Sequence, residues 1–383
     1  MDLPGHFRYS PGFARTIQGS FFVTSRNGGS AAATHSTIAA TATALPPHKI
    51  TRDDVKYYMG RVFDIPERRL EAMMSIVDNA QVHERHAIFP IEYTVEPRAL
   101  SKTNEEYMEH AIKLGREAAE AALKRANLTP RDIDLIITVS CTGFMIPSLD
   151  AHLIKLMDFR SDVRRMPFTE LGCAAGAMAI ARAADYLKAY PGGNVLIIAV
   201  ELPSLTFQRK DISQANLISS ILFGDGAAAV IVRGQEMRGP KILVSETYTF
   251  PDSLGAMGFD LRDSGFHILL DKGVPEMIGA KIKALVDGFL ERQGLKQQDI
   301  KGWILHPGGA RLLGNVEEAL GLNKCETAPS WDVLANVGNL SSATILFILQ
   351  QWLEKRPLNP GDYAMMAAFG PGFSAEFLLL QWT

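Results

Sequence analysis

Three residues have types and settings suited to acyl-transfer chemistry. Cys173 lies in ELGCAAGAMAIARAADYL, a thiol among small residues where a helical pattern begins. A thiol at a helix N-terminus has its thiolate favoured by the helix dipole and by unpaired N–H groups. Gly172 permits a tight backbone approach, and Ala174, Ala175 and Gly176 leave room beside the sulfur. A buried structural cysteine fits the same surroundings equally well. His306, in GWILHPGGARLLG, ends an apolar strand pattern before a Pro-Gly-Gly loop. Asn339, in NVGNLSSATILFILQQWL, precedes an apolar helix, where an Asn can be only an N-cap. Together, a thiol, an imidazole and a carboxamide at Gly-flanked boundaries make a nucleophile and an oxyanion-stabilising pair. The imidazole holds the thiolate as an ion pair, so the Cys173 pKa is expected to be depressed. Among the other histidines, His267 beside Phe266 is the one whose role the sequence leaves open.

The elements that must position these residues repeat. A helical pattern over Asn104 to Leu128 turns through LTPRDID into a strand at Leu135 to Val139. A second, over Val274 to Leu295, turns through LKQQDIK into Trp303 to Leu305. Asp132-Ile133 recurs as Asp299-Ile300, and Gly172-Cys173 as Gly338-Asn339, at nearly one spacing. Each later helix runs into a strand, Asn194 to Val200 or Tyr363 to Ala368, then a Gly-rich turn and a final strand. The reading is a duplicated α/β unit of about 150 residues, with mostly parallel sheets covered by helices. On it Cys173 and Asn339 are symmetry mates that meet where the two halves face each other. Residues 1–34 read as a flexible N-terminal extension, 35–235 as the half with the cysteine, and 236–383 as the half with His306 and Asn339.

Composition narrows the classes. Apolar residues make up 47% and charged residues 21%, and 39 Lys plus Arg against 42 Asp plus Glu leave a net charge of −3. A nucleic-acid binder normally carries a basic excess, and no run approaches a membrane span. Three cysteines without a CxxC argue against a disulfide scaffold or structural zinc and for a reducing, cytoplasmic setting. GDGAAA (Gly224 to Ala229) leads into a strand rather than opening a helix, so it is not a dinucleotide fingerprint. Papain-like proteases also order Cys, His and Asn, but their cysteine motif and disulfide cysteines are missing here. A non-catalytic acyl-binding protein is a further alternative, which preferential carbamidomethylation of Cys173 would oppose.

SCTGFMIPSLD, ELGCAAGA, LFGDGAAA, DSGFHI, LHPGGA, GNLSSA and FGPGFS occur in that order. In these motifs the chain resembles the type III polyketide synthases, the chalcone-synthase-like group of the thiolase fold, in its bacterial wording. Ketoacyl synthases of fatty-acid synthesis share Cys, His and Asn but match less closely. The resemblance implies a five-layered αβαβα arrangement of two thiolase-like halves and a homodimer. It implies that Cys173 takes the acyl group, while His306 and Asn339 promote malonyl-CoA decarboxylation and stabilise the enolate. Phe223 and Phe266 match gatekeeper aromatics between the CoA tunnel and the cavity, and Gly308-Gly309 a CoA-contacting loop. Cys141 stands where plant members usually have Thr, and either lines the cavity or is a structural thiol. Where plant members often carry a basic cluster that meets the CoA phosphates, the basic residues here sit at different places; Arg68, Arg69 and Arg85 are the candidate substitutes, and no CoA site is carried over to them. The pattern requires no metal, nicotinamide cofactor or carrier protein; acyl-CoA and malonyl-CoA are the substrates. The bacterial wording suggests a fatty acyl-CoA starter and an alkylpyrone or alkylresorcinol product. The alternative is a malonyl-CoA-only tetrahydroxynaphthalene synthase.

Overall fold

The computed structural model describes residues 35–235, 237–356 and 358–383. The expected flexible extension, residues 1–34, lies outside the described residues. The first half runs β1 (Ser36–Ala44), β2 (His48–Thr51), α1 (Arg52–Val62), α2 (Glu67–Asn79), β3 (Glu84–Ala87), α3 (Ile91–Thr94) and α4 (Leu100–Ala126). It continues with β4 (Leu135–Val139), α5 (Leu149–Leu156), β5 (Arg164–Phe168), α6 (Ala175–Ala189), β6 (Asn194–Glu201), α7 (Gln214–Leu222) and β7 (Gly226–Arg233). The second half has β8 (Pro240–Thr249), β9 (Met257–Arg262), β10 (Gly265–Leu270), α8 (Val274–Glu291), β11 (Ile300–Leu305) and α9 (Ala310–Leu320). It ends with α10 (Ala328–Val337), α11 (Thr344–Lys355), β12 (Tyr363–Gly370) and β13 (Ser374–Trp382).

The duplication is visible in backbone detail. Before β4, the Thr129 N–H donates to Asp132 Oδ2 at 2.7 Å; before β11, the Lys296 N–H donates to Asp299 Oδ2 at 2.8 Å. β4 pairs parallel with β6, and β11 parallel with β12. β6 then turns back antiparallel into β7, and β12 into β13.

Nine strands are linked in the order β11-β12-β13-β8-β1-β7-β6-β4-β5. Among the described residues only the β4–β5, β4–β6 and β11–β12 strand pairings are parallel, which corrects the expectation of mostly parallel sheets. Runs such as AAAVIV are continuously apolar because both faces of β7 are buried, and burial on both faces does not require parallel neighbours.

Core packing explains the layers. α6 and α11 are apolar around most of their circumference, the signature of a helix enclosed on all sides. They share one cluster with the inward faces of β4, β6 and β7 and with those of β12 and β13. The outward face of β6 and β7 packs on α4, and that of β12 and β13 on α8 and α9. The order is thus helix, sheet, central helices, sheet, helix, the expected five layers. Gly176 sets the central crossing: a Cβ there would collide with the Ser342 carbonyl and lie 2.8 Å from Ile345 Cγ2.

Candidate active site

Cys173 sits in the 3-10 turn Gly172–Ala174 that feeds α6, and is 6% exposed. Gly172 has φ +51°, and a Cβ on it would lie 2.6 Å from Pro371 Cδ, so glycine is required on both counts. The matching turn in the second half, Ser341–Ala343, feeds α11, and Ser341 has φ +48°. Gly172 therefore corresponds to Ser341 and Cys173 to Ser342, which corrects the pairing of Cys173 with Asn339. Asn339 lies just upstream of that turn, where sequence spacing cannot distinguish a shift of a few residues.

Asn339 is 2% exposed, and its amide is oriented by its partners. Its Oδ1 accepts from the Ser341 N–H at 2.8 Å and from Thr344 Oγ1 at 3.1 Å. Its Nδ2 donates to the Gly308 carbonyl at 2.9 Å. Gly308 has φ +61° and opens the turn after His306. His306 ends β11, held by its N–H donating to Ala367 O at 2.9 Å. It is 2% exposed, and neither ring nitrogen has a hydrogen-bond partner.

Two cavities meet at the thiol. One, of about 550 Å³, is lined by Cys173, His306, Gly308, Gly309, Asn339 and Phe223 among others. The second, of about 340 Å³, is lined by Cys173, Cys141, Ser341, Phe223 and Phe266, with the apolar face of β9 and β10. Cys173, Phe223, Met257 and Leu270 belong to both. Phe223 thus stands at the junction, its backbone locked by a bridge to Asn339, whereas Phe266 lines only the smaller cavity, against Phe259. All the site residues expected from sequence line one or both cavities.

Cys141 does line the smaller cavity. Its Sγ is 3.4 Å from Ser341 Oγ, which is 3.6 Å from Cys173 Sγ. Behind it Glu201, fully buried, accepts from the Cys141 N–H at 3.1 Å, from Thr142 Oγ1 at 2.9 Å and from Ser342 Oγ. Of the proposed basic substitutes, Arg85 is buried and spends its guanidinium on the Ile221 and Ser220 carbonyls at the end of α7.

Family models place this arrangement. The model for the N-terminal domain of chalcone and stilbene synthases matches residues 24–236, and that for their C-terminal domain matches 241–382. The chain belongs to the chalcone and stilbene synthase family. It is a type III polyketide synthase, a malonyl-CoA-dependent acyltransferase. It is 38% identical over 350 residues to the 1,3,6,8-tetrahydroxynaphthalene synthase of Streptomyces peucetius subsp. caesius, covering 90% of this chain and 93% of that one. It is 34% identical over 343 residues to the phloroglucinol synthase of Pseudomonas fluorescens, covering 88% and 97%. The crystal structure of the tetrahydroxynaphthalene synthase of Streptomyces coelicolor matches with a TM-score of 0.87 and 36% identity, over 91% of this chain and 99% of that one.

In this polyketide synthase burial acts on both members of the expected ion pair. Burial pushes the Cys173 thiol up to about 12, although Ser341 and Asn339 pull it partly back. Burial also pushes His306 down to about 3. Desolvation thus opposes the charged form of both groups and works against the helix start and the expected ion pair. The Cys141 thiol is likewise raised, first by burial and then by the Glu201 carboxylate. Sequence reasoning passed over Glu201, Ser341 and Met257. GNLSSA carried Ser341 in plain view, but Glu201 ends an apolar strand and gives no local signal of its role. No helix among the described residues is long and apolar enough to cross a membrane.

Proposed function

We propose that this enzyme builds its polyketide from malonyl-CoA alone and closes it to a polyhydroxylated aromatic of the tetrahydroxynaphthalene type. The sequence reading put a fatty acyl starter first. The smaller cavity supports the alternative and is the observation that carries this proposal. It measures about 340 Å³ against about 550 Å³ for the cavity lined by His306 and Asn339. Its wall also carries Thr142, Thr169, Glu170, Thr206 and Ser219 beside Cys141 and Ser341. Thr142 and Thr206 spend their hydroxyls on Glu201 and the Pro203 carbonyl, while Thr169 and Ser219 can donate to the carbonyls of a poly-β-ketone, partners that an alkyl chain lacks. The relatives named as tetrahydroxynaphthalene and phloroglucinol synthases agree with this choice.

In the proposed mechanism Cys173 exchanges with a CoA thioester: its proton passes to His306, its sulfur takes the acyl group, and CoA thiol leaves. A further malonyl-CoA then loses carbon dioxide. The enolate oxygen receives hydrogen bonds from His306 and from Asn339 Nδ2, which the Ser341 N–H and Thr344 hydroxyl hold facing Gly308. The enolate carbon attacks the thioester on Cys173 and frees the thiolate for the next round. By family resemblance the enzyme is proposed to act as a homodimer, which sedimentation as a single chain would refute.

The test is incubation of the purified full chain with malonyl-CoA alone, and separately with acyl-CoAs of six to sixteen carbons, with products read by mass. Turnover to an aromatic pentaketide without added starter supports the proposal. Products that form only with acyl-CoA, at rates rising with chain length, overturn it.

A further inference from the structure

β9 and β10 form a two-stranded ribbon that pairs with no other strand among the described residues. In its register Phe266 faces Leu261, Ile268 faces Phe259, and Leu270 faces Met257. Those six side chains share one face and line the smaller cavity. The wall of the smaller cavity is therefore a two-stranded ribbon outside the nine-stranded sheet. A lone hairpin is marginal in water and owes its position to what it is tied to.

Its ties converge on residues 208–211. Gln208, 9% exposed, places Nε2 at 3.2 Å from the Ser264 carbonyl, 3.3 Å from that of Phe266 and 3.4 Å from that of Thr206. Gly265 makes room for it: φ is +120°, and a Cβ there would lie 2.9 Å from that nitrogen. His267 points from the ribbon's other face, with Nδ1 at 3.3 Å from Asp211 Oδ2 and Nε2 at 2.7 Å from Ser264 Oγ. The carboxylate only accepts, so Nδ1–H donates to Asp211 and the Ser264 hydroxyl donates to Nε2. The Asp211 carboxylate also accepts from the Ser213 N–H at 2.8 Å, at the start of α7. Asn216 Nδ2, on α7, holds the carbonyls of Gln208 at 2.8 Å and Asp211 at 2.7 Å. α7 leads at its far end to Phe223, the side chain at the junction of the cavities. The order Ser264, His267, Asp211 is that of an acyl-transfer triad, yet Ser264 lies on an exposed turn and lines neither cavity.

We propose that Gln208, Asp211 and His267 are positioning residues that clamp the β9–β10 wall and thereby set how many condensations occur before release. This rests on the reading of the smaller cavity as the place where the chain grows. None of the three lines either cavity, so releasing the clamp should leave the chemistry at Cys173 intact and change what it makes.

The experiment compares Gln208→Ala, Asp211→Ala and Asp211→Asn with the unaltered enzyme. It reads carbon dioxide release from malonyl-CoA and, by mass, the ratio of the principal product to shorter lactones and longer chains. The alanine variants should shift that ratio roughly three- to tenfold, the effect of one hydrogen bond, with decarboxylation nearly unchanged. Asp211→Asn should restore the ratio: Oδ1 keeps the Ser213 N–H, Nδ2 donates to His267 Nδ1, and the imidazole adopts its other tautomer. Unaltered ratios in both alanine variants, or losses shared equally by decarboxylation and not rescued by asparagine, overturn the proposal. Should either alanine variant fail to fold, His267→Gln is read the same way. An unaltered enzyme inert on malonyl-CoA alone refutes the starter reading, and the clamp is then decided on the same ratios with hexanoyl-CoA as starter.

Discussion

Asn339→Ala separates chemistry from scaffold in this site. The side chain makes three hydrogen bonds, accepting from Ser341 N–H and Thr344 Oγ1 and donating to Gly308 O. Removing it takes a donor from the enolate oxygen, worth about 3 kcal/mol in comparable oxyanion sites, or roughly a hundredfold in decarboxylation. It also leaves the Ser341 N–H and the Thr344 hydroxyl without an acceptor in a buried turn, at about 1–3 kcal/mol each in stability. Asn339 helps to lower the Cys173 pKa, so thioester loading falls too, by less. The assay measures carbon dioxide release from labelled malonyl-CoA beside covalent loading of Cys173, with thermal unfolding as the stability control. Asn339→Asp retains both accepted bonds but sets a carboxylate oxygen against the Gly308 carbonyl, so it should reproduce the catalytic defect without the orphaned Ser341 N–H and Thr344 hydroxyl. Equal losses in decarboxylation and loading, tracking the loss of stability, would show that Asn339 acts only as scaffold.

Iodoacetamide inactivation through Cys173 should accelerate up to and beyond pH 9, because burial raises the thiol to about 12; a plateau near neutral pH would show that the helix start and His306 outweigh burial. Gly176→Ala should destabilise the fold by about 1–3 kcal/mol or more, since its methyl meets the Ser342 carbonyl across the central crossing, and an unchanged unfolding midpoint would refute that contact. Glu376 has its carboxyl raised from 4.5 to about 7 by burial, so the folded state holds its proton more tightly than the unfolded chain. Stability from this group is full below pH 4.5 and is lost as pH rises toward 7; Glu376→Gln should therefore add about 1–3 kcal/mol at pH 8 and little at pH 4.5. Equal or lower stability of that variant at pH 8 would refute this account.

Much of this protein is written locally in its sequence. Helical periodicity over α4 and α8, the Asp132 and Asp299 turns, and the continuous apolar runs of β6, β7 and β12 depend on neighbours in the chain. They announce a duplicated α/β unit directly. Cys173, His306 and Asn339 were legible because glycine marks each of their boundaries, and a left-handed turn such as that at Gly172 leaves a trace in residue type. Strand direction was not legible, because a side chain records burial on two faces and nothing about which way its neighbour runs.

What only the tertiary structure decided follows from long-range proximity. Glu201 gains its role from Cys141, Thr142 and Ser342, which reach it from separate loops. The desolvation that acts on the Cys173 thiol and the His306 imidazole is imposed by packing around the site, and no sequence window contains it. The smaller cavity and the ribbon that walls it gather residues far apart in the chain around one space. Volume belongs to the assembled layers, because it is the space that distant elements fail to fill.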